Sequence, residues 1–411
     1  MSARRGRQKV SLARRDMLGL RAVLDRCADF SEFAGENILG CVTVTPETGV
    51  LVLTLAALGA NVRWCSDNRF ASDDDVVDHL AAEGIPAFAR ANMTTDEYFA
   101  SMDRAREFDN DDRIQVIDDG ADITRHIAHN DLSYFRRVRG ITEQTTCGVE
   151  ALHELYRDRL LPVASIDINA CFTKKYFDNF HGVQESLVRG LMAATGMQLA
   201  GKSASIFGYG PVGSGAAAIL KSIGCRVSIV EANLLKAVQA HFDGFEVVSA
   251  SHAVQHSLLC VTATGRDGVI SADLIDRAAD GVILCNIGHG SAEYDVAHLE
   301  RQAEPQPVNQ FLDMYLLDGD RVIYSCCKGA LVNLIAGRGN PPAIMSLTFT
   351  LQLLGQRELI RHCDRYGDAR VHPLPERLEW ECAALNHPDL LANLSNPTNL
   401  VYGKDQPDAR P

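Results

Sequence analysis

The 411-residue chain lacks any uninterrupted run of the roughly 20 apolar residues that a membrane-spanning helix needs. Its basic N-terminus, residues 1–15, is not followed by the apolar stretch of a secretory signal. An excess of positive charge is also missing, because 40 Lys and Arg stand against 53 Asp and Glu, for a net charge of −13. Proteins that bind the phosphate backbone concentrate Lys and Arg on one face. We therefore expect a cytoplasmic protein with neither a membrane nor a nucleic acid as its partner.

The sequence also lacks the residue spacing that is typical of metal sites. The twelve cysteines include no Cys-x-x-Cys pair and no zinc-type spacing with histidine, so we predict no metal site. The cysteines are scattered through apolar runs, which favours buried thiols over disulfides. With 46% hydrophobic and 23% charged residues, the chain can bury sizeable cores, and this composition excludes a disordered protein.

Strands and helices alternate in the first third of the chain. The pattern predicts a strand over 38–44, a helix over 46–58 and a strand over 61–65, which together form a βαβ unit. A further short apolar strand ends in the adjacent carboxylates Asp118 and Asp119. Because ligands collect at the carboxyl ends of parallel strands, this pair is a site candidate. A helix-capping pair is the alternative.

The strongest local pattern lies within residues 202–231. A predicted strand over 203–207 precedes the motif G-x-G-x-x-G at 208–213, and a second strand, over 226–230, ends at Glu231. The glycines permit a tight turn and a close approach of backbone N–H groups to a pyrophosphate at a helix N-terminus. Glu231 can accept hydrogen bonds from the adenosine ribose and would repel a 2′-phosphate, so the pattern predicts NAD rather than NADP.

The C-terminal half contains weaker patterns. Two more predicted strands, over 258–263 and 281–285, run into Gly-containing turns. His289 follows the second strand and is a candidate site residue. Taken alone, it fits a hydrogen-bonded loop histidine equally well. The apolar segment 341–354 opens after two prolines and predicts a helix at a hinge, where the chain leaves the dinucleotide-binding domain. From Val371 the chain is polar and Pro-rich, which predicts an irregular surface or interface segment.

Several motifs together resemble the S-adenosylhomocysteine hydrolase family. They run collinearly from about residue 36 to 350. The matching segments are Gly40-Cys41, Thr45 to Thr48, Trp64 to Asn68, Asp118 to Thr124, Arg139 to Thr146, Thr173 to Asn179, Gly208 to Gly215, Val261 to Gly265, Cys285 to His289 and Leu331 to Leu334.

The resemblance implies an α/β fold with two Rossmann-like, doubly wound parallel-sheet domains, a bound NAD, an adenine nucleoside as substrate and assembly into a homo-oligomer, a dimer or tetramer. The expected organisation is a substrate domain formed by 1–180 and 342–372, an NAD-binding domain formed by 181–341, and a C-terminal interface tail formed by 373–411.

The family's chemistry uses NAD that is regenerated in every turnover. The 3′-hydroxyl of a nucleoside is oxidised, the ketone acidifies the C4′ hydrogen, the 5′ substituent leaves, water adds and the ketone is reduced. By resemblance, Lys174 and Asp178 handle the proton of the 3′-hydroxyl, Asn179 orients the nicotinamide or sugar, and Asp119 and His289 serve acid/base steps around C4′ and C5′. Without the resemblance, Lys174 and its neighbouring lysine would be taken for a solvated basic pair.

The resemblance also assigns binding residues. For the substrate they are Thr43, Thr45, Glu47, Gln144, Thr145, Asn340 and Met345. For NAD they are Gly208, Gly210, Pro211, Val212, Gly213, Glu231, Thr262, Thr264, Asn286, Ile287 and Asn333.

The departures from the family pattern concentrate around the sugar and the leaving group. Thr43 stands where the family has a histidine, and Gln144 stands where it has a second glutamate that accepts a ribose 2′-hydroxyl. Asn340 replaces the histidine of a G-H-P motif, and Ala330 replaces an arginine. The basic, tyrosine-containing tail of many members is also missing.

These departures favour a repurposed enzyme. Our leading hypothesis is an NAD-dependent lyase that eliminates a 5′ group, with water favoured, from an adenine nucleoside. The product would be a 4′,5′-ene nucleoside of the kind found in the antibiotic angustmycin A, whose sugar carries an extra hydroxymethyl group near the position that Gln144 would contact. The alternatives are an orthodox S-adenosylhomocysteine hydrolase and a catalytically silent NAD-binding regulator.

Overall fold

The computed structural model describes residues 1–110, 112–289 and 292–394. Two sheets organise this part of the chain, one of seven strands and one of eight. The strands are β1 (Asn37–Cys41), β2 (Asn61–Cys65), β3 (Ala87–Phe88), β4 (Ile114–Asp118), β5 (Val138–Glu143), β6 (Ser165–Asp167), β7 (Ser203–Phe207), β8 (Arg226–Val230), β9 (Glu246–Val247), β10 (Leu259–Thr262), β11 (Val282–Asn286), β12 (Gln306–Asn309), β13 (Leu312–Leu316), β14 (Val322–Cys326) and β15 (Val371–Pro373).

Helices connect these strands. They are α1 (Ser2–Asp16), α2 (Leu18–Asp25), α3 (Pro46–Ala57), α4 (Asp74–Ala82), α5 (Thr95–Ala105), α6 (Asp122–Asn130), α7 (Thr146–Arg157), α8 (Val183–Thr195), α9 (Pro211–Ser222), α10 (Leu234–Phe242), α11 (Ala250–His256), α12 (Ala272–Asp276), α13 (Val296–Gln302), α14 (Val332–Ile335), α15 (Pro342–Arg361), α16 (Glu376–Asn386) and α17 (Pro388–Leu394). A π-helical segment, Lys174–Gly182, precedes α8, and short 3₁₀ turns occur at Cys27–Phe33, Leu132–Arg136, Asp318–Asp320, Cys327–Gly329 and Cys363–Tyr366.

The seven-stranded sheet is parallel throughout, in the order β15-β6-β5-β4-β1-β2-β3. Its central strands β1 and β4 are buried along their whole length, which is typical of parallel strands with both faces covered. The chain moves from β1 outward to β3 and then returns to the opposite side of β1 with β4. The order of connection therefore reverses between β1 and β4, which is where α/β sheets bind ligands.

The eight-stranded sheet has the order β12-β13-β14-β11-β10-β7-β8-β9. It is parallel except for β12 and β13, which pair antiparallel at one edge. Here the connection order reverses between β7 and β10. The predicted fold class, two doubly wound Rossmann-like sheets, is confirmed, and β7 and β8 have the predicted bounds.

Helix α15 follows the last strand of the second sheet in the chain and packs against elements of the first sheet. It begins with Pro342 in its first turn, as predicted, and extends to Arg361, beyond the predicted end at 354. The residues from Ser346 to Leu359 are all buried, because α15 packs against β5, α16 and the π-helical segment. This long buried helix therefore carries side chains to β5 and to the π-helical segment.

The segment after Val371 differs from its prediction. β15 adds a parallel strand beside β6, and α16 packs against α15 and α2. The buried residues Leu378, Cys382 and Leu385 recur at helical spacing, and this apolar face outweighs the polar composition of the segment. The rest of the predicted interface tail, 395–411, lies outside the described residues, and the domain boundaries stay a prediction.

The cysteines and the longest helices concern two expectations drawn from composition. All twelve cysteines are free thiols, and nine of them are buried, in line with the preference for thiols over disulfides. Among residues 1–110, 112–289 and 292–394, no helix is both long and apolar enough to cross a membrane.

Candidate active site

Four neighbouring strands of the first sheet end in polar side chains at one edge. Gln144 follows β5, Asp119 follows β4, Thr43 follows β1 and Asp67 follows β2. The strands lie in that spatial order, so the four side chains form a polar row across the point where the connections reverse. This is the location that the strand-end argument predicts for a ligand.

The adjacent carboxylates Asp118 and Asp119 have different roles. Asp118 is fully buried and accepts hydrogen bonds from the backbone N–H groups of Asp119 and Thr124, both at 3.0 Å, and from the Thr124 hydroxyl at 2.6 Å. Burial raises the pKa of the Asp118 carboxyl well above its usual range. The capping interpretation therefore holds for Asp118, and only Asp119 is partly exposed at the strand end.

Asp119 is fixed by an amide. Its Oδ2 accepts a hydrogen bond of 2.7 Å from Gln144 Nε2, and Gln144 Oε1 accepts one of 3.1 Å from Gln352 Nε2 on α15. Burial raises the pKa of Asp119, and the nearby His289, Gln144 and Lys174 act in the opposite direction. Because the Gln144 oxygen is occupied by Gln352, its NH₂ group is the part that faces Asp119.

Glu143 organises the surrounding backbone. Its carboxylate accepts from the N–H groups of Gly120 (3.1 Å), Ala121 (2.8 Å) and Thr145 (2.8 Å), and from the Thr145 hydroxyl (2.7 Å). Thr145 also caps α7 by accepting from the Gly148 N–H at 3.2 Å. Burial raises the pKa of Glu143 to about 7. These bonds hold the loop that carries Asp119, and a substrate contact by Thr145 stays a prediction.

The π-helical segment gathers three of the predicted catalytic side chains. Lys174 Nζ lies 2.8 Å from Asp178 Oδ2 and donates to Asn179 Oδ1 at 3.0 Å. Asn340 Nδ2 donates to Asp178 Oδ1 at 2.7 Å, and the Thr348 hydroxyl of α15 donates to Asp178 Oδ2. Lys174 and Asp178 are both buried, so the segment holds an ion pair with a fixed geometry. Such π-helical turns are frequent at functional sites.

His289 joins the two sheets. It follows β11, yet a Cβ at Gly120 would lie 2.5 Å from its Nε2, so the imidazole packs directly on the Asp119 loop. Burial alone lowers the pKa of His289, but Cys147, Asp119 and Asp122 together raise it to about 10. The structure therefore places the His289 imidazole against the Asp119 loop, where its acidic neighbours favour the protonated form.

The glycine-rich turn after β7 has no room for side chains. Gly208 has φ +101°, and a Cβ there would lie 2.9 Å from the Ala263 carbonyl oxygen. A Cβ at Gly213 would lie 2.0 Å from the Gly208 carbonyl oxygen. Gly210 caps α9 without any side-chain hydrogen bond, which leaves N–H groups of the first turn for a phosphate.

Two further features fit a dinucleotide. Glu231 is held at the end of β8, because its two oxygens accept from the N–H groups of Tyr209 and Asn233, each at 2.7 Å. Within the described chain, the buried Oδ1 of Asn333 has no hydrogen-bond partner, so it is available to a ligand amide or hydroxyl. These residues fit NAD.

The other predicted NAD contacts surround this turn. Thr262 donates to Asn286 Oδ1 at 3.3 Å, and the Ile287 N–H donates to the Thr262 carbonyl at 2.9 Å. The Thr264 hydroxyl donates to the buried carboxylate of Glu293 at 2.9 Å. Pro211 and Val212 form the first turn of α9. All of them lie at the carboxyl ends of β7, β10 and β11.

Two family models match this chain. Residues 1–135 match the family model of S-adenosyl-L-homocysteine hydrolase, and residues 179–339 match the model of its NAD-binding domain. Together the two matches span more than two thirds of the chain. The chain belongs to the S-adenosyl-L-homocysteine hydrolase family. Its cofactor is NAD, as the glycine-rich turn and Glu231 predicted.

Solved structures resemble this S-adenosyl-L-homocysteine hydrolase family member more distantly. A dipicolinate synthase polypeptide from Bacillus halodurans is 10% identical with a TM-score of 0.46, over 79% of this chain and 99% of that one. Its counterpart from Bacillus subtilis is 9% identical with a TM-score of 0.40, over 74% and 93%. The TT0316 protein from Thermus thermophilus is 13% identical with a TM-score of 0.38, over 76% and 94%.

Three of the predicted substrate-binding residues, which by resemblance contact the adenine, lie near the starts of α3 and α15. Thr45 caps α3 by accepting from the Thr48 N–H at 3.3 Å, and Glu47 is buried in the first turn, where burial raises its pKa. Met345 is half-buried in the first turn of α15. Contact of these residues with adenine stays a prediction.

Three residues of the site were not predicted from the sequence. Asp67 follows β2 as Asp119 follows β4, so the strand-end argument could have identified it. Gln352 and Thr348 lie within a buried apolar helix, and no local pattern distinguishes them from core residues. Their roles depend on the packing of α15 against the site.

Proposed function

We propose that this family member is an NAD-dependent adenine-nucleoside lyase that eliminates water from the 5′ position and leaves a 4′,5′-ene nucleoside, as in the formation of an angustmycin-type antibiotic. The observation that supports the proposal most directly is the polar row at the edge of the first sheet. The groups for proton transfer are assembled there, but the acceptor expected beside the sugar is the neutral amide of Gln144, bonded to Asp119 at 2.7 Å.

The 3′-hydroxyl is the first reacting group. When bound, NAD supplies a hydride acceptor and later returns the hydride. Lys174 and Asp178 would handle the hydroxyl proton, because their side chains form a buried pair with Nζ and Oδ2 2.8 Å apart. Asn340 and Thr348 donate to Asp178, and Asn179 accepts from Lys174. These contacts limit the positions that the ammonium group can take.

The C4′ hydrogen is the second reacting group, since a ketone at C3′ makes it acidic. Asp119 is the base that the geometry favours, because it is the partly exposed carboxylate at the end of β4. The amide of Gln144 and the nearby His289 both lower the pKa of Asp119 and so favour its charged form. A general base of this kind typically contributes about 10²- to 10⁴-fold to the rate.

The contacts of Gln144 favour a substrate whose sugar differs from ribose. Its oxygen is occupied by Gln352, and its nitrogen donates to Asp119, so it offers no carboxylate to a 2′-hydroxyl. Loss of a charge-assisted hydrogen bond weakens ribose binding by roughly 1.5–3 kcal/mol. We infer that the pocket favours a sugar with an additional substituent near this position.

Mass spectrometry of the purified protein with a panel of adenine nucleosides tests the proposal. The panel includes adenosine, S-adenosylhomocysteine and an adenine nucleoside with a hydroxymethyl group on the anomeric carbon. We expect the last compound to lose one water, and His289→Ala to make almost no product. Release of free homocysteine from S-adenosylhomocysteine, without dehydration, would instead identify an orthodox hydrolase. Failure of bound NAD to become reduced with every nucleoside would support the silent regulator.

A further inference from the structure

Asp67 is a carboxylate at the sheet edge to which the family resemblance assigns no role. It lies two residues after β2, half-buried, in the same polar row as Thr43 and Asp119. The Tyr98 hydroxyl oxygen lies 2.9 Å from the Asp67 carbonyl oxygen and 2.6 Å from Asp122 Oδ2, within hydrogen-bond distance of both acceptors. These bonds fix the backbone that carries the Asp67 carboxyl.

The carboxyl group itself has one occupied oxygen. Asp67 Oδ1 accepts a hydrogen bond of 2.7 Å from the Thr43 hydroxyl, whereas Oδ2 makes no hydrogen bond within the described part of the chain. Thr43 is in turn held by Thr48, whose hydroxyl donates to the Thr43 carbonyl at 2.6 Å. Oδ2 is therefore the atom that can carry a proton to a ligand.

The surroundings of Asp67 favour its neutral form. Burial raises the pKa of this carboxyl well above its usual range, and the charges of Asp119 and Asp122 raise it further. Thr43 and His289 act in the opposite direction but are weaker than burial. A negative charge on Asp119 therefore disfavours a second negative charge on Asp67. Asp119, which Gln144 and His289 stabilise as an anion, is the charged member of this pair.

We propose that Asp67 is the catalytic acid that protonates the departing 5′-hydroxyl, and that Thr43 positions it. This inference rests on the proposed dehydration. Hydroxide is a poor leaving group, since water has a pKa of about 15.7, so elimination of a hydroxyl needs a proton donor. Departure of a thiolate needs none, which makes the acid specific to the dehydratase.

Asp67 and Asp119 together supply and accept all the protons that this step needs. Asp119 takes the C4′ proton, and the electron pair of that C–H bond forms the C4′=C5′ double bond. The C5′–O bond breaks, its electron pair goes to oxygen, and the Asp67 proton moves to the same oxygen to release water. The pair starts with Asp67 protonated and ends with Asp119 protonated. One proton transfer between the two carboxyls restores the starting state.

The test compares two leaving groups in the variant Asp67→Asn, which keeps an oxygen acceptor for Thr43. The substrates are an adenine nucleoside with a 5′-hydroxyl and its 5′-chloro-5′-deoxy counterpart with the same sugar, because chloride leaves without a proton. We expect the variant to lose about 10²- to 10⁴-fold in ene formation from the hydroxyl compound. The chloro compound should react at the wild-type rate, and reduction of bound NAD should be unchanged with both.

Several outcomes would overturn the proposal. An equal loss with both leaving groups would show a structural role, and an unchanged rate with the hydroxyl compound would show that Asp67 is not the acid.

Asp67→Glu, which keeps a proton donor, should recover part of the lost rate, and it replaces Asp67→Asn if that variant does not retain NAD. If the wild type forms no ene from any hydroxyl compound, the proposed dehydration itself fails. Dehydration that persists in both variants overturns only the role of Asp67.

Discussion

Replacing the amide of Gln144 by a carboxylate should change the pH dependence of the C4′ proton transfer. Gln144 Nε2 donates to Asp119 Oδ2 at 2.7 Å, and this bond lowers the pKa of Asp119 against the effect of burial. In Gln144→Glu, the donor becomes a second acidic oxygen at the same place. The two carboxyls cannot both ionise easily, so Asp119 stays protonated to a higher pH.

The size of the change follows from that one contact. A hydrogen bond to a charged group contributes about 1.5–3 kcal/mol. Since one pKa unit corresponds to about 1.36 kcal/mol, its loss raises the pKa of Asp119 by roughly 1–2 units. Asp119 acts as a base only when it is deprotonated. The acidic limb of the rate profile should therefore move to higher pH by at least roughly 1–2 units, because repulsion from the new carboxyl adds to the loss of the hydrogen bond, and the rate above that limb should recover.

Loss of deuterium from C4′ of a labelled nucleoside into water, measured across pH, reports this step directly. Gln144→Met is the matched control, because it removes the donor without adding a carboxyl, and it should shift the limb in the same direction by less. If the profiles of Gln144→Glu and the wild type superimpose, Asp119 is not the base or Gln144 does not control it.

Four further variants test the cofactor site and the hydride step. Glu231→Ala should weaken NAD binding by roughly 1–3 kcal/mol in a titration of the apoprotein, because it removes an acceptor for ribose hydroxyls. Wild-type affinity in this variant would remove Glu231 from the cofactor site. Lys174→Ala and Asp178→Ala should retain NAD but show no rise in reduced nicotinamide absorbance when substrate is added, and normal reduction in either would exclude that residue. Gly213→Ala places a Cβ 2.0 Å from the Gly208 carbonyl oxygen, so both bound NAD and the melting temperature should fall.

Much of the fold was predictable because its signals are local. The bounds of β7 and β8 follow from apolar runs beside a glycine turn, and the steric limits at Gly208 and Gly213 explain why that motif has its composition. Asp119 was predictable for a similar reason, since a carboxylate after a buried strand lies at a sheet edge.

The remaining features depend on contacts between distant segments. Gln352 and Thr348 reach the site only because α15 packs against β5 and the π-helical segment. The pairing of Thr43 with Asp67 arises because β1 and β2 are neighbours in the sheet. The polar composition after Val371 concealed a buried helical face in α16, which forms only against α15 and α2.

The most direct test of the central claim is the product formed by the wild-type protein with its own bound NAD. Incubation with the anomerically hydroxymethylated adenine nucleoside should give a product that has lost one water and carries vinylic protons of a 4′,5′-ene in the NMR spectrum. Incubation with S-adenosylhomocysteine should release no homocysteine. Robust homocysteine release, with no dehydrated nucleoside from any 5′-hydroxyl substrate, would contradict the account and identify an orthodox hydrolase.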